Sequence, residues 1–307
     1  PLHRRLACKL NYFQSIILMF AAVILIGAAL LMLPISAQER TVTPFHEALF
    51  TATSAVCVTG LVVRDTASHW SAFGQAVLMV LIQIGGLGVI TVGASFSLLS
   101  GRRISLSQRG RMQEAMSAPK VGGIVRLTGF VIRASLMIEG IGALCMLPVF
   151  CRDFGVSGIW KAIFHSVSAF CNAGFDLMGT PDTPFVSLTA YRADPVINLT
   201  ISALIVVGGI GFLTWDDVRT NRLCFHRYRL QSKVILTATA LLILLPTLYF
   251  FCFEFKGGTL RERLLLSLFQ SVTPRTAGFN TADYTSLSSS GRGLTILLMF
   301  IGGSPVG

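Results

Sequence analysis

Phe164-His-Ser-Val-Ser168-Ala-Phe-Cys-Asn-Ala-Gly174-Phe175 decides the fold, because the chain carries this segment three times. Phe50-Thr-Ala-Thr-Ser54-Ala-Val-Cys-Val-Thr-Gly60-Leu61 precedes it, and Phe269-Gln-Ser-Val-Thr273-Pro-Arg-Thr-Ala-Gly278-Phe279 follows it. Each copy opens on Phe, sets a hydroxyl four residues later, and reaches a Gly ten, ten and nine residues on, followed by Leu or Phe. A second motif repeats in register. Gln83-Ile-Gly85-Gly86-Leu-Gly88, Val206-Val-Gly208-Gly209-Ile-Gly211 and Phe300-Ile-Gly302-Gly303-Ser-Pro305 place a glycine pair at one relative depth. Two motifs repeating together at more than a hundred residues exceed any solenoid period and point to pseudo-symmetric units in a membrane bundle.

The surroundings agree. Of the 307 residues, 53% are hydrophobic and 13% charged, about half the charge of an average soluble domain, and the mean hydropathy is +0.70. A disordered chain and an ordinary soluble enzyme are both excluded by that balance. A spanning helix needs about 20 mostly apolar residues. Six runs approach this: Ile16–Leu33, Ser71–Ser100, Ala134–Cys151 (interrupted by Glu139), Pro195–Trp215, Val234–Phe253 and the stretch from Gly293 onward. The runs Ala48–Val63, Ala162–Phe175 and Leu264–Pro274 are shorter and suit re-entrant segments. The first span follows Arg4, Arg5 and Lys9, is too long for the core of a secretory signal and lacks a small-residue cleavage site.

If the short runs are re-entrant, fifteen of the 25 basic residues fall on one side with only Glu114, Asp216 and Asp217. The other side balances ten basic against ten acidic residues. The positive-inside rule makes the first side, and with it the N-terminus, cytoplasmic, facing anionic lipid. Aromatics interleaved with base-reading groups are missing from those segments, so nucleic acid is not a partner. Treating the short runs as full spans would scatter the basic loops over both sides.

The expected fold is therefore an all-α membrane protein of repeated helix–pore-loop–helix units, pseudo-symmetric about a cation pore. The expected boundaries are 1–100 for the first unit, 101–218 for the second with its basic linker, and 219–307 for a third that stops inside its second span. Irregular backbone at membrane depth persists where protein buries it or where it lines a watery cavity. A short helix followed by an extended loop can aim rows of carbonyls that replace the hydration shell of a monovalent cation. Val58, Thr59 and Gly60, with Asn172, Ala173 and Gly174 and with Thr276, Ala277 and Gly278, are the expected carbonyl donors. Ser54, Ser168 and Thr273 would cap or brace the pore helices.

These words resemble the Trk/Ktr/HKT superfamily of cation transporters, most closely the Ktr-type membrane subunit. Ala52–Leu61 (ATSAVCVTGL), Ile82–Val89 (IQIGGLGV), Phe164–Phe175 (FHSVSAFCNAGF), Val207–Phe212 (VGGIGF), Val272–Thr281 (VTPRTAGFNT) and Met299–Pro305 (MFIGGSP) carry the likeness in family order. The N-terminus enters its first span without the extra helical pair of the Trk type. The resemblance implies K⁺ uptake, with Na⁺ as a second candidate ion, across a bacterial plasma membrane. It implies four filter loops, of which three are present, and a gate starting at Gly302, Gly303, Ser304 and Pro305. Arg275 is matched in the family and is expected to support the filter. A serine in the first filter accompanies Na⁺ preference in plant relatives, so Gly60 favours K⁺. Family membership further implies a homodimer on a cytoplasmic nucleotide-binding regulatory ring, and no organic cofactor in this chain. With one quarter of the ring absent, these residues alone are expected not to conduct.

Other residues offer less. Glu139 is the one acid deep in an apolar run, where intramembrane acids default to function. His165 reads as packing, and His46-Glu47 lacks the second His of a zinc helix. Gly86, Gly88 and Gly93 lie within a span rather than at a strand-to-helix turn, which removes a dinucleotide site and leaves packing and bending. Asp176, Asp182 and Asp194 stand on the outer side, where they either concentrate cations or are plain loop residues. The seven cysteines form no paired motif and read mostly as small buried apolar side chains. No nucleophile–base pair appears, so an enzyme is not expected. A Na⁺- or H⁺-coupled solute symporter and a non-conducting fragment remain as alternatives, and the symporter would require paired intramembrane charges.

Overall fold

The computed structural model describes residues 12–88, 124–222 and 224–303, and within them it is helical, with no strand beyond the isolated Ala37–Trp70 bridge. Among the described residues ten helices of ten or more residues build three consecutive units, with a short four-residue helix at Thr66–His69. The first unit runs α1 (Tyr12–Leu31), α2 (Phe45–Val56) and α3 (Ala72–Leu87). The second runs α4 (Ile124–Phe154), α5 (Ser157–Phe170), α6 (Pro195–Gly209) and α7 (Phe212–Asn221). The third runs α8 (Leu230–Tyr249, continuing as a π-turn to Glu254), α9 (Leu260–Val272) and α10 (Ser289–Ile301).

Local chemistry starts these helices. Ser71, Asp194, Thr259 and Ser288 each accept an N–H of the first turn that the helix itself leaves unpaired. Pro195 follows Asp194 at the first helical position, where its missing N–H costs nothing. Glu262 sits three residues after Thr259, placing an acid at the positive end of α9.

Among the described residues three helices are long and apolar enough to cross a membrane, in α1, α4 and α8 with its π-turn, or four if α6 and α7 count as one broken span. Their outward faces carry exposed Ile17, Leu25, Met137, Leu144, Leu244 and Leu248. In water such a rim would be a liability, but lipid tails solvate it. The second pore helix is at the opposite extreme, since every residue of Phe164–Phe170 is buried. Within each unit the first span packs on the pore helix. Between units the packing steps round: α3 lies on α5, and α6 on α9, so each second span meets the next pore helix.

Two expectations about spans need correction. The run 195–215 is not one straight helix: α6 and α7 meet at 95°, and α7 continues through Asp216, Asp217 and Arg219. The break falls at Gly211, whose φ of +83° favours glycine. Trp215 Nε1 donates to the carbonyl of Val207 at 3.0 Å, satisfying a group that the break would otherwise strand. Likewise α3 stops at Leu87, with Gly88 at φ +82°, instead of running on as one helix. The remainder of that run, including Gly93, lies outside the described residues, as do Ser304, Pro305, Cys8, the N-terminal basic cluster and Arg102–Lys120 of the linker.

Reading most cysteines as buried also fails. Only Cys171 is buried among the described residues, while Cys57, Cys145, Cys224 and Cys252 are exposed. An apolar run is not a buried run when half its face meets lipid.

Candidate functional site: three loops around one axis

The end of each pore helix turns into its loop by the same manoeuvre. Val58, Asn172 and Thr276 adopt φ of +54°, +56° and +75°, and two residues later Gly60, Gly174 and Gly278 adopt +76°, +74° and +84°. The residue between each pair stays at ordinary φ. Val58 and Thr276 are β-branched, the side chains least suited to this region, and such positions cost on the order of 1–3 kcal/mol each. Three equivalent outliers in three units mark a shape that the surroundings impose.

Alternating hand turns successive peptide groups to one side. The N–H edge is taken by the pore helix: Thr59 donates to the Ser54 carbonyl at 2.8 Å and Ala173 to that of Ser168 at 2.8 Å. Ala277 and Gly278 both donate to the Thr273 carbonyl, at 3.1 and 3.3 Å. With these N–H groups bonded back, the carbonyls across the same planar peptides, those of Val58, Asn172, Thr276 and Ala277, point away from their own helix.

The loops meet one another. A Cβ placed on Gly60 would lie 2.5 Å from the Ala173 carbonyl oxygen, and one on Gly174 would lie 2.4 Å from that of Ala277. One on Gly278 would meet only Gly174 Cα, at 3.5 Å. The glycines are therefore required twice, for their φ and for the closeness of the neighbouring strand of backbone.

Inward of the loops lies a cavity of about 330 Å³. Its walls are the ends of the pore helices at Val56, Cys57, Phe170 and Cys171, the inner loop residues Val58, Asn172 and Thr276, and the glycine pairs. Those pairs let the second spans close on the pore helices. A Cβ on Gly85 would stand 2.2 Å from the Val56 carbonyl oxygen, on Gly86 2.4 Å from Cys171 Sγ, and on Gly208 1.9 Å from the Phe170 carbonyl oxygen. Because α2 and α5 end at this cavity, their partial negative charge is directed at it. Such a space favours a cation without any fixed acid.

The three hydroxyls take two courses. Ser168 Oγ donates to the Phe175 carbonyl at 2.7 Å and Thr273 Oγ1 to that of Phe279 at 2.5 Å, so both brace the stretch just after the filter glycine. They do not cap the pore helices. Ser54 Oγ is buried with no hydrogen-bond partner among the described residues. Its counterpart carbonyl belongs to Leu61, which is 60% exposed, whereas Phe175 and Phe279 are buried.

Arg275 ties down the inner end of the third loop rather than backing the filter: Nε donates to the Gly302 carbonyl at 3.4 Å and Nη2 to Thr239 Oγ1 at 3.2 Å. Gly302 ends α10 at φ +64°, and a Cβ on Gly303 would sit 3.1 Å from Thr276 Oγ1. The side-chain amide of Asn172 donates to the carbonyls of Ala169 and Ile205, at 3.2 and 3.3 Å, leaving its main chain to face the cavity. Gln83 Nε2 donates to Glu139 Oε1 at 2.9 Å. Glu139 is thus bonded to an amide, and among the described residues it forms no ion pair.

On the outer side the loops interlock. Asp65 Oδ2 caps the turn at Thr66–His69, and its Oδ1 accepts the N–H of Phe185 at 3.0 Å. Ser187 Oγ accepts the N–H of Asn280 at 3.0 Å, and Leu188 N–H donates to the Asn280 carbonyl at 2.9 Å. Phe185 and Ser187 both sit at positive φ to make these contacts, at +59° and +50°. Asp194 is spent on capping α6, and Asp176 accepts the N–H of Met178, so two of the three outer acids have local structural partners. No sequence signal marked Asp65, Ser187 or Gln83, whose partners lie far away along the chain.

Known proteins are similar to this chain in sequence and in fold. The potassium/sodium uptake protein NtpJ of Enterococcus hirae is 42% identical, over 98% of this chain and 66% of its own length. The Ktr system potassium uptake protein B of Bacillus subtilis is 43% identical, over 94% of this chain and 64% of its own. The chain thus spans about two thirds of the length of these relatives. In fold it resembles the potassium transporter TrkH from Vibrio parahaemolyticus, with a TM-score of 0.65 and 18% identity, covering 94% of this chain and 57% of that one. The TrkH family profile, described as cation transport protein, matches residues 7–307, and this chain belongs to that family.

Proposed function

We propose that these residues form three quarters of a K⁺ uptake pathway, in which the three loops dehydrate the ion and pass it into the cavity. The observation that carries this is the repeated φ alternation ending at Gly60, Gly174 and Gly278, with the three glycines packed against one another. Carbonyls of Val58–Gly60, Asn172–Gly174 and Thr276–Gly278 stand in for water around a monovalent cation, and the pore-helix ends stabilise it below. Na⁺ is carried as a second ion, as the name of the Enterococcus relative suggests. The segment starting at Gly302 gates the inner end, with Ser304 and Pro305 in it and Arg275 as its anchor. The Bacillus relative is named as one protein of a system. We extend that to a homodimer seated on a cytoplasmic nucleotide-binding ring, in a bacterial plasma membrane with the N-terminus inside.

The test is K⁺-limited growth and ⁸⁶Rb⁺ uptake in a bacterium stripped of its own K⁺ uptake systems. The 307-residue chain is compared with one extended by the remaining C-terminal third of the Bacillus relative. Uptake by the extended chain supports the reading. Its absence, with the protein present in the membrane, sinks it.

A further inference from the structure

The three pore helices carry one stripe each, at positions spaced i, i+4 and i+7, which fall on a single helical face. In the first helix the stripe reads Glu47, Thr51, Ser54; in the second Lys161, His165, Ser168; in the third Leu266, Gln270, Thr273. The second stripe closes on the loop that follows its own filter glycine. Ser168 holds the Phe175 carbonyl. His165 Nε2 accepts the N–H of Leu177 at 3.2 Å, while its Nδ1 donates to the carbonyl of Lys161 at 2.7 Å, which fixes a neutral ring in one tautomer. The Lys161 ammonium donates to the Leu177 carbonyl and lies 4.4 Å from the centre of the Phe154 ring. Both backbone groups of Leu177, a residue 2% exposed and three past Gly174, are thus held by the pore helix.

The other stripes differ. Glu47 holds its loop through the exposed Arg64, by paired bonds of 2.9 and 3.0 Å. The third stripe has an apolar residue at the Lys161 position and reaches its loop through neutral groups, Thr273 to the Phe279 carbonyl and Gln270 to the Tyr284 side chain. The Lys161 bond is half-buried, and a partly desolvated charge-assisted bond to backbone is stronger and stiffer than an exposed ion pair. We propose that Lys161 and His165 are positioning residues for ion selectivity: through Leu177 they hold the second filter loop at the spacing that prefers K⁺, without touching the ion. This rests on the K⁺-pathway reading above.

The experiment measures ⁸⁶Rb⁺ and ²²Na⁺ uptake per unit of membrane protein in the extended chain, for the parent, Lys161→Met, Lys161→Arg, His165→Leu and His165→Gln. Gln occupies the equivalent position in the third helix as Gln270. Removing one such bond is expected to lower the Rb⁺-to-Na⁺ ratio roughly threefold or more in Lys161→Met and His165→Leu, with the ratio largely restored in Lys161→Arg and His165→Gln. A ratio that stays at the parent value in the Met and Leu variants, while uptake falls only in step with protein amount, overturns the inference. A parent that takes up neither ion overturns the pathway reading and this inference with it.

Discussion

Arg275 donates from Nε to the carbonyl oxygen of Gly302 at 3.4 Å, joining the inner end of the third filter loop to the residue at which α10 stops. The same guanidinium holds Thr239 on α8, so a first span, the third loop and the start of the segment proposed as a gate share one cation. The tether keeps Gly303 against Thr276 and beside the cavity. Arg275→Met is therefore expected to free the segment and raise ⁸⁶Rb⁺ uptake by roughly threefold, on the scale of one weak hydrogen bond, as the 3.4 Å separation implies. The Rb⁺-to-Na⁺ ratio should be little changed, since the outer filter stays in place. A fall in uptake at normal protein level would show that the tether opens the path rather than closing it.

The three filter glycines should not tolerate alanine equally. All three carry positive φ, a strain of about 1 kcal/mol for alanine. Gly60→Ala and Gly174→Ala add a Cβ within 2.5 Å of a neighbouring carbonyl oxygen, whereas Gly278→Ala meets nothing closer than 3.5 Å. Uptake should be abolished by the first two substitutions and retained in part by the third. Equal loss in all three would mean that φ alone sets the requirement.

Ser54, Ser168 and Thr273 look alike in sequence, yet only two of them form a bond. Ser168→Ala and Thr273→Val should each destabilise by about 1 kcal/mol, lowering the thermal midpoint of the protein in detergent. Ser54→Ala leaves no partner stranded and should be neutral or slightly stabilising. A loss at Ser54 equal to that at Ser168 would contradict the geometry.

Acid should weaken the first unit's outer loop. The Arg64 guanidinium, by hydrogen bond and then by charge, holds the Glu47 carboxyl below its ordinary range. With the folded value depressed, the contribution is present above the ordinary glutamate range and is lost as pH falls through the folded value. Arg64 is half exposed, so the pair is worth less than about 1 kcal/mol. Thermal midpoints between about pH 3.5 and 6 should show this small slope in the parent and lose it in Glu47→Gln. An unchanged slope in the variant assigns the acid sensitivity elsewhere.

The pore helices and filter loops were legible because their spacing recurs, and recurrence needs no knowledge of contacts. Hydropathy located the spanning helices α1, α4 and α8, but the 95° turn at Gly211 did not follow from it. A glycine that packs and a glycine that breaks a helix look identical within an apolar run, and only Trp215 folding back onto Val207 distinguishes them here. His165 read as packing because an isolated histidine on an apolar face gives no hint of an acceptor twelve residues away. Lys161 gave less still: its target is a backbone carbonyl, which every residue possesses. Ser54 failed for the opposite reason, since the pattern predicts a bond that the exposed Leu61 loop does not supply.

The outer loops overlap like roof tiles laid in one direction. Asp65 of the first unit pins the second unit's loop at Phe185, and two residues along that same loop Ser187 pins the third unit at Asn280. A tile can be lifted only after the one lying over it. The second unit's loop is therefore the middle tile, latched backward to the first unit at Phe185 and forward to the third at Ser187, so it alone is held from both sides.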